Sequence, residues 1–171
     1  MPERRRLRVL LTGFQPFGGE PVNPSERLAR GLASRPPPDP RLILRAAILP
    51  VDRVRYRRAL AAAMRRHRPQ VVVAIGQATG RPGVDLERRA HNALDFRGER
   101  DNGGHTAAGE PLCAGGPASL ASTLPLPALR AVLAALGLPV SLSQDAGRHL
   151  CNALLYELLS AHARIPAAFV H

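Results

Sequence analysis

The chain contains two cysteines, Cys113 and Cys151, and the surroundings of Cys151 suit a catalytic nucleophile. Cys151 follows a short apolar run at 138–142 and a turn that contains Gly147, and it opens an apolar stripe with helical spacing. The unpaired N–H groups and the dipole at the start of a helix favour a thiolate, which is the reactive form of cysteine. The sequence therefore predicts a nucleophile at position 151 or a small core residue, since a cysteine on an apolar helix face is usually buried.

A nucleophilic cysteine needs a base within hydrogen-bond reach and a third group that orients this base. His149 lies two positions from Cys151, so the two side chains would point apart on one helix. His162 is too far along the same helix, roughly 16 Å at 1.5 Å per residue, and His67 is expected to end another helix. The residue types leave three histidines open as the base: His91, His105 and His171.

The sequence lacks the patterns that bind nucleotides or metals. Gly13, Gly18 and Gly19 do not have the spacing of a dinucleotide-binding loop. A phosphate-binding loop needs a lysine, and the chain has none. The histidines and cysteines are too scattered for a zinc site, so neither a metal nor another cofactor is predicted.

Apolar runs alternate with helical stripes along the chain, which predicts an α/β fold with a mostly parallel, twisted sheet and helices on both faces. Strands are predicted at 7–13, 42–49, 71–76, 138–142 and 167–171. The segment 86–94 fits a strand or a short helix, and the strand is favoured. Helices are predicted at 24–34, 52–68 and 127–136, and in the segment that starts near Cys151. No linker or internal repeat divides the chain, so one domain is expected over 1–171.

Aromatic or polar residues stand at the ends of several predicted strands. Phe14 and Gln77 each follow an apolar run, the turn at Asp145 follows another, and His171 closes the last one. In parallel α/β sheets, sites form at the carboxyl ends of the strands. The pattern therefore predicts that these four positions meet at one edge of the sheet.

The composition is strongly basic, with a net charge of +11 and 24 basic residues that are all arginine. This charge leaves binding of RNA or another polyanion open as a non-catalytic alternative. Aromatic residues make up only 4%, however, and no nucleic-acid-binding motif is present, so no nucleic-acid partner is expected. No apolar run has membrane-spanning length, and the arginine-rich start does not look like a signal peptide, so a cytoplasmic protein is expected.

Four stretches, taken together and in chain order, resemble the signature of pyroglutamyl peptidase I, a family of cysteine peptidases also called pyrrolidone carboxyl peptidases. They are Leu11–Gly19 with Asn23-Pro24, Gly76–Arg81 with Leu86–Ala93, Ala146–Asn152, and Phe169–His171. The resemblance implies hydrolysis of the amide bond after an N-terminal pyroglutamyl residue of peptides. It implies that Cys151 is the nucleophile, that His171 is the base and later the acid, and that Glu87 orients His171.

The resemblance also implies which residues bind the substrate. Phe14 and Phe17 would hold the flat, largely uncharged lactam ring through aromatic contact. Gln77 would help to bind the lactam through its backbone. Arg97, ten residues beyond Glu87, would lie near the oxyanion that develops during the reaction, where its positive charge is useful.

The same residues have ordinary structural interpretations. Phe14 and Phe17 would otherwise be packing residues of the core or of a turn. Glu87 would otherwise form a solvated ion pair, and Asn23 would only cap a helix. Cys113 matches no catalytic position of the family and is expected to be structural.

The resemblance carries three further implications. The family suggests dimers or tetramers, so a homo-oligomer is expected. Family members continue beyond the position of His171 with another strand and a C-terminal helix, so the peptidase domain expected over 1–171 would lack these two elements. The α/β fold of the family is phosphorylase-like or hydrolase-like, which leaves a nucleoside phosphorylase-like enzyme open as a second alternative.

Overall fold

The computed structural model describes residues 6–171. The prediction of a cytoplasmic protein used the arginine-rich start of the chain, of which residues 1–5 lie outside the described residues. The strands are β1 (Leu7–Phe14), β2 (Leu42–Leu49), β3 (Val71–Ile75), β4 (Val84–Glu87), β5 (Arg89–His91), β6 (Leu94–Asp95), β7 (Ala108–Glu110), β8 (Ser119–Ala121), β9 (Val140–Ser143) and β10 (Ala167–Val170). The helices are α1 (Pro24–Ala33), α2 (Arg55–His67), α3 (Leu126–Ala135) and α4 (Leu150–Ala161). The predicted alternation is confirmed, and the single strand predicted at 86–94 is divided among β4, β5 and β6.

Six strands form the main sheet, in the order β2-β1-β3-β10-β4-β9. Neighbouring strands are parallel except for β10 and β4, which are antiparallel. Two small two-stranded sheets, β5 with β8 and β6 with β7, lie outside the main sheet. The prediction of a mostly parallel sheet is confirmed.

The direction of β9 corrects the prediction for the turn at Asp145. β9 is parallel to β4, and β4 is antiparallel to β10, so the carboxyl end of β9 points in the opposite direction from those of β1, β3 and β10. The segment 144–149 then leads to the start of α4, where Cys151 lies beside Gly76 at the end of β3. β9 therefore does not end at the same edge as the other three strands, although the turn at Asp145 still meets the residues after β1 and β3, because it lines one cavity with Phe17 and Gln77.

Successive residues of the central strands point to opposite faces of the sheet, and two helices cover each face. On one face, Leu10 and Phe169 pack with the buried side chains of α2 and α4. On the other face, Leu11 packs against α1, and Ala168 packs with Leu126 of α3. The predicted placement of helices on both faces is confirmed.

The four helices contain 10 to 13 residues each. Within residues 6–171, no helix has both the length and the apolar character needed to cross a membrane. The two most apolar helices differ in their surroundings, because α4 is buried on most sides whereas Leu126 is the one buried residue of α3.

The start of α1 holds the end of β1 in place. Asn23 Oδ1 accepts hydrogen bonds from the Ser25 N–H at 3.0 Å and from the Ser25 hydroxyl at 2.8 Å. The Ser25 hydroxyl oxygen in turn accepts a hydrogen bond from the Phe14 N–H at 2.9 Å. The predicted helix cap at Asn23 is confirmed, and it fixes the backbone of Phe14.

Candidate active site

A small pocket lies where β1 and β3 end and α4 begins. Its volume is about 70 Å³. Its wall is formed by Phe14, Phe17, Asn23, Val51, Gln77, His149, Leu150 and Cys151. The pocket therefore brings together four of the predicted site residues: Phe14, Phe17, Gln77 and Cys151. Aromatic rings and aliphatic side chains make up most of a wall that also carries the thiol.

Cys151 lies in the first turn of α4, as the sequence predicted. A Cβ built on Gly76 would lie 3.0 Å from Cys151 Sγ, so the sulfur packs against the backbone that follows β3. Burial, and then the negative charge of Glu87, raise the pKa of the Cys151 thiol to about 12. The backbone N–H at the helix start and Arg81 act in the opposite direction but do not outweigh burial. The raised pKa favours the neutral thiol in the free protein, so the reaction needs a base that removes the thiol proton.

Glu87 and His171 form a buried pair. His171 Nδ1 lies 2.7 Å from Glu87 Oε1, and the two side chains are 3% and 0% exposed. The pairing of β10 with β4 explains this contact, because Phe169 lies opposite Glu87 and His171 follows two residues later on the same face. The alternative interpretation of Glu87 as a solvated surface residue is wrong. Because Nδ1 is engaged by Glu87, Nε2 is the ring nitrogen of His171 that remains for another partner.

The other two histidines left open as the base have partners elsewhere. His91 Nε2 lies 3.2 Å from the backbone oxygen of Gln144. His105 Nδ1 lies 3.1 Å from Asp101 Oδ1. Neither histidine lines the pocket that contains Cys151, and neither do His171 and Glu87, which lie behind its wall next to Phe169.

His171 and Cys151 are connected through a shared neighbour, Phe169. The ring centroids of His171 and Phe169 are 4.6 Å apart. Phe169 Cζ would lie 2.6 Å from a Cβ on Gly76, the same position that approaches Cys151 Sγ. Among residues 6–171, no hydrogen bond joins Cys151 Sγ to His171. Catalytic hydrogen bonds are often absent from free enzymes and form in the substrate complex.

An open cleft of about 860 Å³ adjoins the pocket. The two cavities share Phe17, Gln77 and His149 in their walls, so a ligand in the pocket can extend into the cleft. The charged residues of the cleft wall have both signs: Arg81, Asp85, Asp95, Arg97, Glu99, Asp145 and Arg148. The cleft is therefore polar, in contrast to the pocket.

Arg97 lines the cleft and not the pocket. It has a φ of 52° and lies in a tight turn in which the Glu99 N–H donates to the Phe96 oxygen at 2.9 Å. The Arg97 N–H donates to Asp95 Oδ1 at 2.7 Å, which supports this conformation. Of the seven predicted site residues, Arg97 is thus placed apart from the four that form the pocket.

His149 is a pocket residue that sequence reasoning missed. Its ring centroid lies 4.3 Å from that of Phe96 and 6.0 Å from that of Phe17. Burial lowers the pKa of His149, so it presents a neutral ring to the pocket. Helical spacing does not apply to His149, because its backbone is extended, with φ −82° and ψ −165°, and it precedes the helix. Asn23, predicted as a cap, also lines the pocket.

A family model described as pyroglutamyl peptidase matches residues 7–171 of the chain. The chain belongs to the pyroglutamyl peptidase family. The pyrrolidone-carboxylate peptidase of Vibrio vulnificus is 43% identical over 166 residues, which are 96% of this chain and 77% of the relative. The pyrrolidone-carboxylate peptidase of Pyrococcus furiosus is 37% identical over 156 residues, which are 91% of this chain and 73% of the relative.

Solved structures with the family name share the fold. The crystal structure of pyroglutamyl peptidase I from Bacillus amyloliquefaciens superposes with a TM-score of 0.89 at 34% identity, covering 97% of this chain and 81% of that chain. A mutant pyrrolidone carboxyl peptidase from Pyrococcus furiosus gives a TM-score of 0.88 at 32% identity, covering 96% and 80%. The predicted family, the α/β fold and the class of cysteine-type peptidase are confirmed. The comparisons support neither the polyanion-binding alternative nor the phosphorylase-like alternative.

Proposed function

We propose that this chain hydrolyses the amide bond that follows an N-terminal pyroglutamyl residue in peptides. The observation that carries the proposal is the small pocket in which Cys151 lies with Phe14 and Phe17, near the buried pair of Glu87 and His171. A flat and uncharged lactam ring suits contact with aromatic side chains. The names of the relatives from Vibrio vulnificus and Bacillus amyloliquefaciens support the same substrate class.

We assign Cys151 as the nucleophile, His171 as the general base and Glu87 as the group that orients His171. Because the pKa of Cys151 is raised to about 12, the thiol proton must leave as the sulfur attacks. His171 Nε2 takes this proton, since Nδ1 is held by Glu87. A bond forms between Sγ and the pyroglutamyl carbonyl carbon, and the carbonyl oxygen becomes an oxyanion. The Glu87 carboxylate stabilises the imidazolium that results.

The tetrahedral intermediate collapses when His171 gives its proton to the leaving amide nitrogen. The C–N bond breaks, the shortened peptide leaves with a free amine, and the pyroglutamyl group remains on Cys151 as a thioester. A water molecule then attacks the thioester carbonyl carbon while His171 accepts its proton. The C–S bond breaks, the proton returns to the sulfur, and pyroglutamate is released.

The substrate residues divide between the two cavities. In the pocket, Phe14 and Phe17 hold the lactam ring and the backbone of Gln77 contributes hydrogen bonds to it. In the cleft, the remainder of the peptide extends past Arg97, whose positive charge stabilises the oxyanion from the cleft side. The placement of Arg97 at the cleft wall supports a role at the scissile bond more than a role in binding the ring.

We also propose that residues 1–171 act as one peptidase domain that assembles into dimers or tetramers in the cytoplasm. The exposed apolar side chains of α3 and the residues after it support contact between copies: Leu129 is 37% exposed, Val132 61% and Leu136 72%. Both cysteines are free thiols, which suits a reducing compartment. A monomeric mass by sedimentation, or activity confined to the extracytoplasmic fraction, would contradict these assignments.

Hydrolysis of a pyroglutamyl chromogenic amide tests the proposal. The chain should release the chromophore, and a thiol alkylator should stop the release. Cys151→Ala should abolish hydrolysis and retain the circular dichroism of the wild type, because the change removes little buried volume. Cys113→Ala is the matched control and should keep full activity, since Cys113 is exposed and lines neither cavity. Exchanged phenotypes of the two variants would refute the choice of nucleophile.

A further inference from the structure

Within residues 6–171, the carboxylate of Glu87 has one side-chain partner besides His171. Arg81 Nη1 donates to Glu87 Oε1 at 2.8 Å, the same oxygen that lies 2.7 Å from His171 Nδ1. The other oxygen, Glu87 Oε2, is buried and has no hydrogen-bond partner within residues 6–171. Arg81 and His171 therefore share Oε1 of Glu87, and the hydrogen bond from Arg81 holds this carboxylate oxygen in place for His171.

The same guanidinium holds two further groups. Arg81 Nη1 donates to Asp85 Oδ2 at 2.6 Å, and Nη2 donates to the backbone oxygen of Asp145 at 2.9 Å. Asp85 lies opposite His171 in the sheet, where the two residues exchange backbone hydrogen bonds of 2.9 Å. Asp145 belongs to the segment that leads into α4. Arg81 thus joins the strand that carries Glu87 to the segment that leads to Cys151.

The charges of this cluster balance when His171 is protonated. Asp85 and Glu87 carry two negative charges as carboxylates, and Arg81 carries one positive charge. The hydroxyl of Ser141, and then Arg81, lower the pKa of Asp85, so its carboxylate stays ionised at neutral pH. When His171 accepts the thiol proton during the reaction, its positive charge offsets the remaining negative charge of the cluster.

We propose that Arg81 is a positioning residue for the peptidase reaction: it holds the Glu87 carboxylate in place for His171 and ties this pair to the segment that leads to Cys151. This role rests on the proposed function, because it takes Cys151, His171 and Glu87 in the roles assigned above. Arg81 also lines the cleft, but the role proposed for it acts through its hydrogen bond to Glu87.

Arg81→Met and Arg81→Lys test this role, and Arg53→Met is the matched control. The Arg53 side chain is 32% exposed, against 28% for Arg81, and it likewise joins a carboxylate, that of Glu110, to a backbone oxygen, that of Thr106. Arg53 lines neither cavity of the site. A loss of activity that reflects only a missing ion pair would therefore appear in both methionine variants.

The steady-state result should separate kcat from KM. We expect Arg81→Met to lower kcat on the order of 100-fold, the effect of a misplacement of about 1 Å, with KM changed less than about threefold. Arg81→Lys keeps the charge but cannot reproduce the planar fork of the guanidinium, so its kcat should fall by only about tenfold. Arg53→Met should keep the kcat of the wild type.

Alkylation of Cys151 in a Cys113→Ala background gives a readout that needs no substrate. The positive charge of Arg81 acts to lower the pKa of the Cys151 thiol. Arg81→Met should therefore slow the reaction with iodoacetamide several-fold at pH 8, because the thiolate fraction falls. A merely structural loss would expose the partly buried thiol further and speed the same reaction.

Three results would overturn the positioning role: a folded Arg81→Met protein with the kcat of the wild type, faster alkylation in that variant, or an equal loss of kcat in Arg53→Met. If Arg81→Met does not fold, Arg81→Lys decides, and a kcat within about twofold of the wild type would overturn the role. If the wild type releases no chromophore but alkylation slows as expected, the proposed substrate is wrong and the role of Arg81 stands.

Discussion

Gly76 leaves no room for a side chain beside the nucleophile. A Cβ at this position would lie 2.6 Å from Phe169 Cζ, 2.7 Å from Phe169 Cε1 and 3.0 Å from Cys151 Sγ. Phe169 is fully buried, and its ring contacts that of His171 at a centroid distance of 4.6 Å. Gly76→Ala must therefore displace both the sulfur and the ring that supports the base.

The contact distances give the size of this displacement. Carbon atoms reach their best separation at about 3.5 Å, so a Phe169 ring at 2.6 Å from the new methyl group must move by roughly 0.9 Å. A shift of about 1 Å costs on the order of 100-fold in rate. Overpacking of a core costs about 1–3 kcal/mol of stability. We therefore expect Gly76→Ala to fold with reduced stability and to lose about 100-fold in kcat/KM.

The measurements are kcat/KM with a pyroglutamyl chromogenic amide and the free energy of unfolding in urea. Gly31→Ala is the control, because Gly31 lies inside α1 and a Cβ there would meet nothing within 4 Å. It should keep full activity and gain about 0.5–1 kcal/mol of stability, the usual effect of this change in a helix. A folded Gly76→Ala protein with kcat/KM within about threefold of the wild type would refute the importance of this close approach.

Two further outcomes concern specificity and pH. We expect kcat/KM for a prolyl amide to lie far below that for the pyroglutamyl amide, because burial of the charged proline amine costs several kcal/mol; comparable values would contradict a pocket formed by Phe14 and Phe17. We expect Asp85→Asn to reduce the free energy of unfolding most at neutral pH. The deficit should shrink as the pH falls below about 3.8, because the pKa of Asp85 is depressed in the folded state and its stabilisation is lost on protonation. Urea titrations of both proteins across this pH range measure the deficit, and a deficit that grew toward acid pH would contradict the stabilising role of the Asp85 carboxylate.

Apolar periodicity was enough to locate most of the helices and strands. The run of apolar residues at 42–49 coincides with β2, and the run at 71–76 ends one residue beyond β3. The predicted start of α2 at Asp52 was three residues early. Asp52 Oδ1 accepts hydrogen bonds from the N–H groups of Val54 and Arg55. The Asp52 side chain thus binds the N-terminus of α2, while its own backbone lies before the helix.

Contacts between distant residues could not be predicted from periodicity. The direction of a short strand is not encoded in its apolar pattern, so the antiparallel pairing of β4 with β10 was not expected. Glu87 and His171 are 84 positions apart, and residue types alone left three histidines open as the base. Only the family resemblance singled out His171. The position of the His149 ring in the pocket was not predicted, because helical spacing was assumed at residue 149 and α4 begins only at Leu150.

The antiparallel pairing of β10 with β4 makes the site sensitive to insertions and deletions in these strands as well as to substitutions. Phe169 lies opposite Glu87, and Val170 lies opposite Leu86, which packs on the other face with α3. Because successive strand residues alternate between faces, a one-residue shift in the register of β4 would turn Glu87 away from His171 and bring Leu86 or Arg88 to its place. The exposed segment 35–41 between α1 and β2 belongs to no strand, so a change in its length shifts no strand register. Insertions and deletions among homologous chains should therefore accumulate there and be excluded from β4.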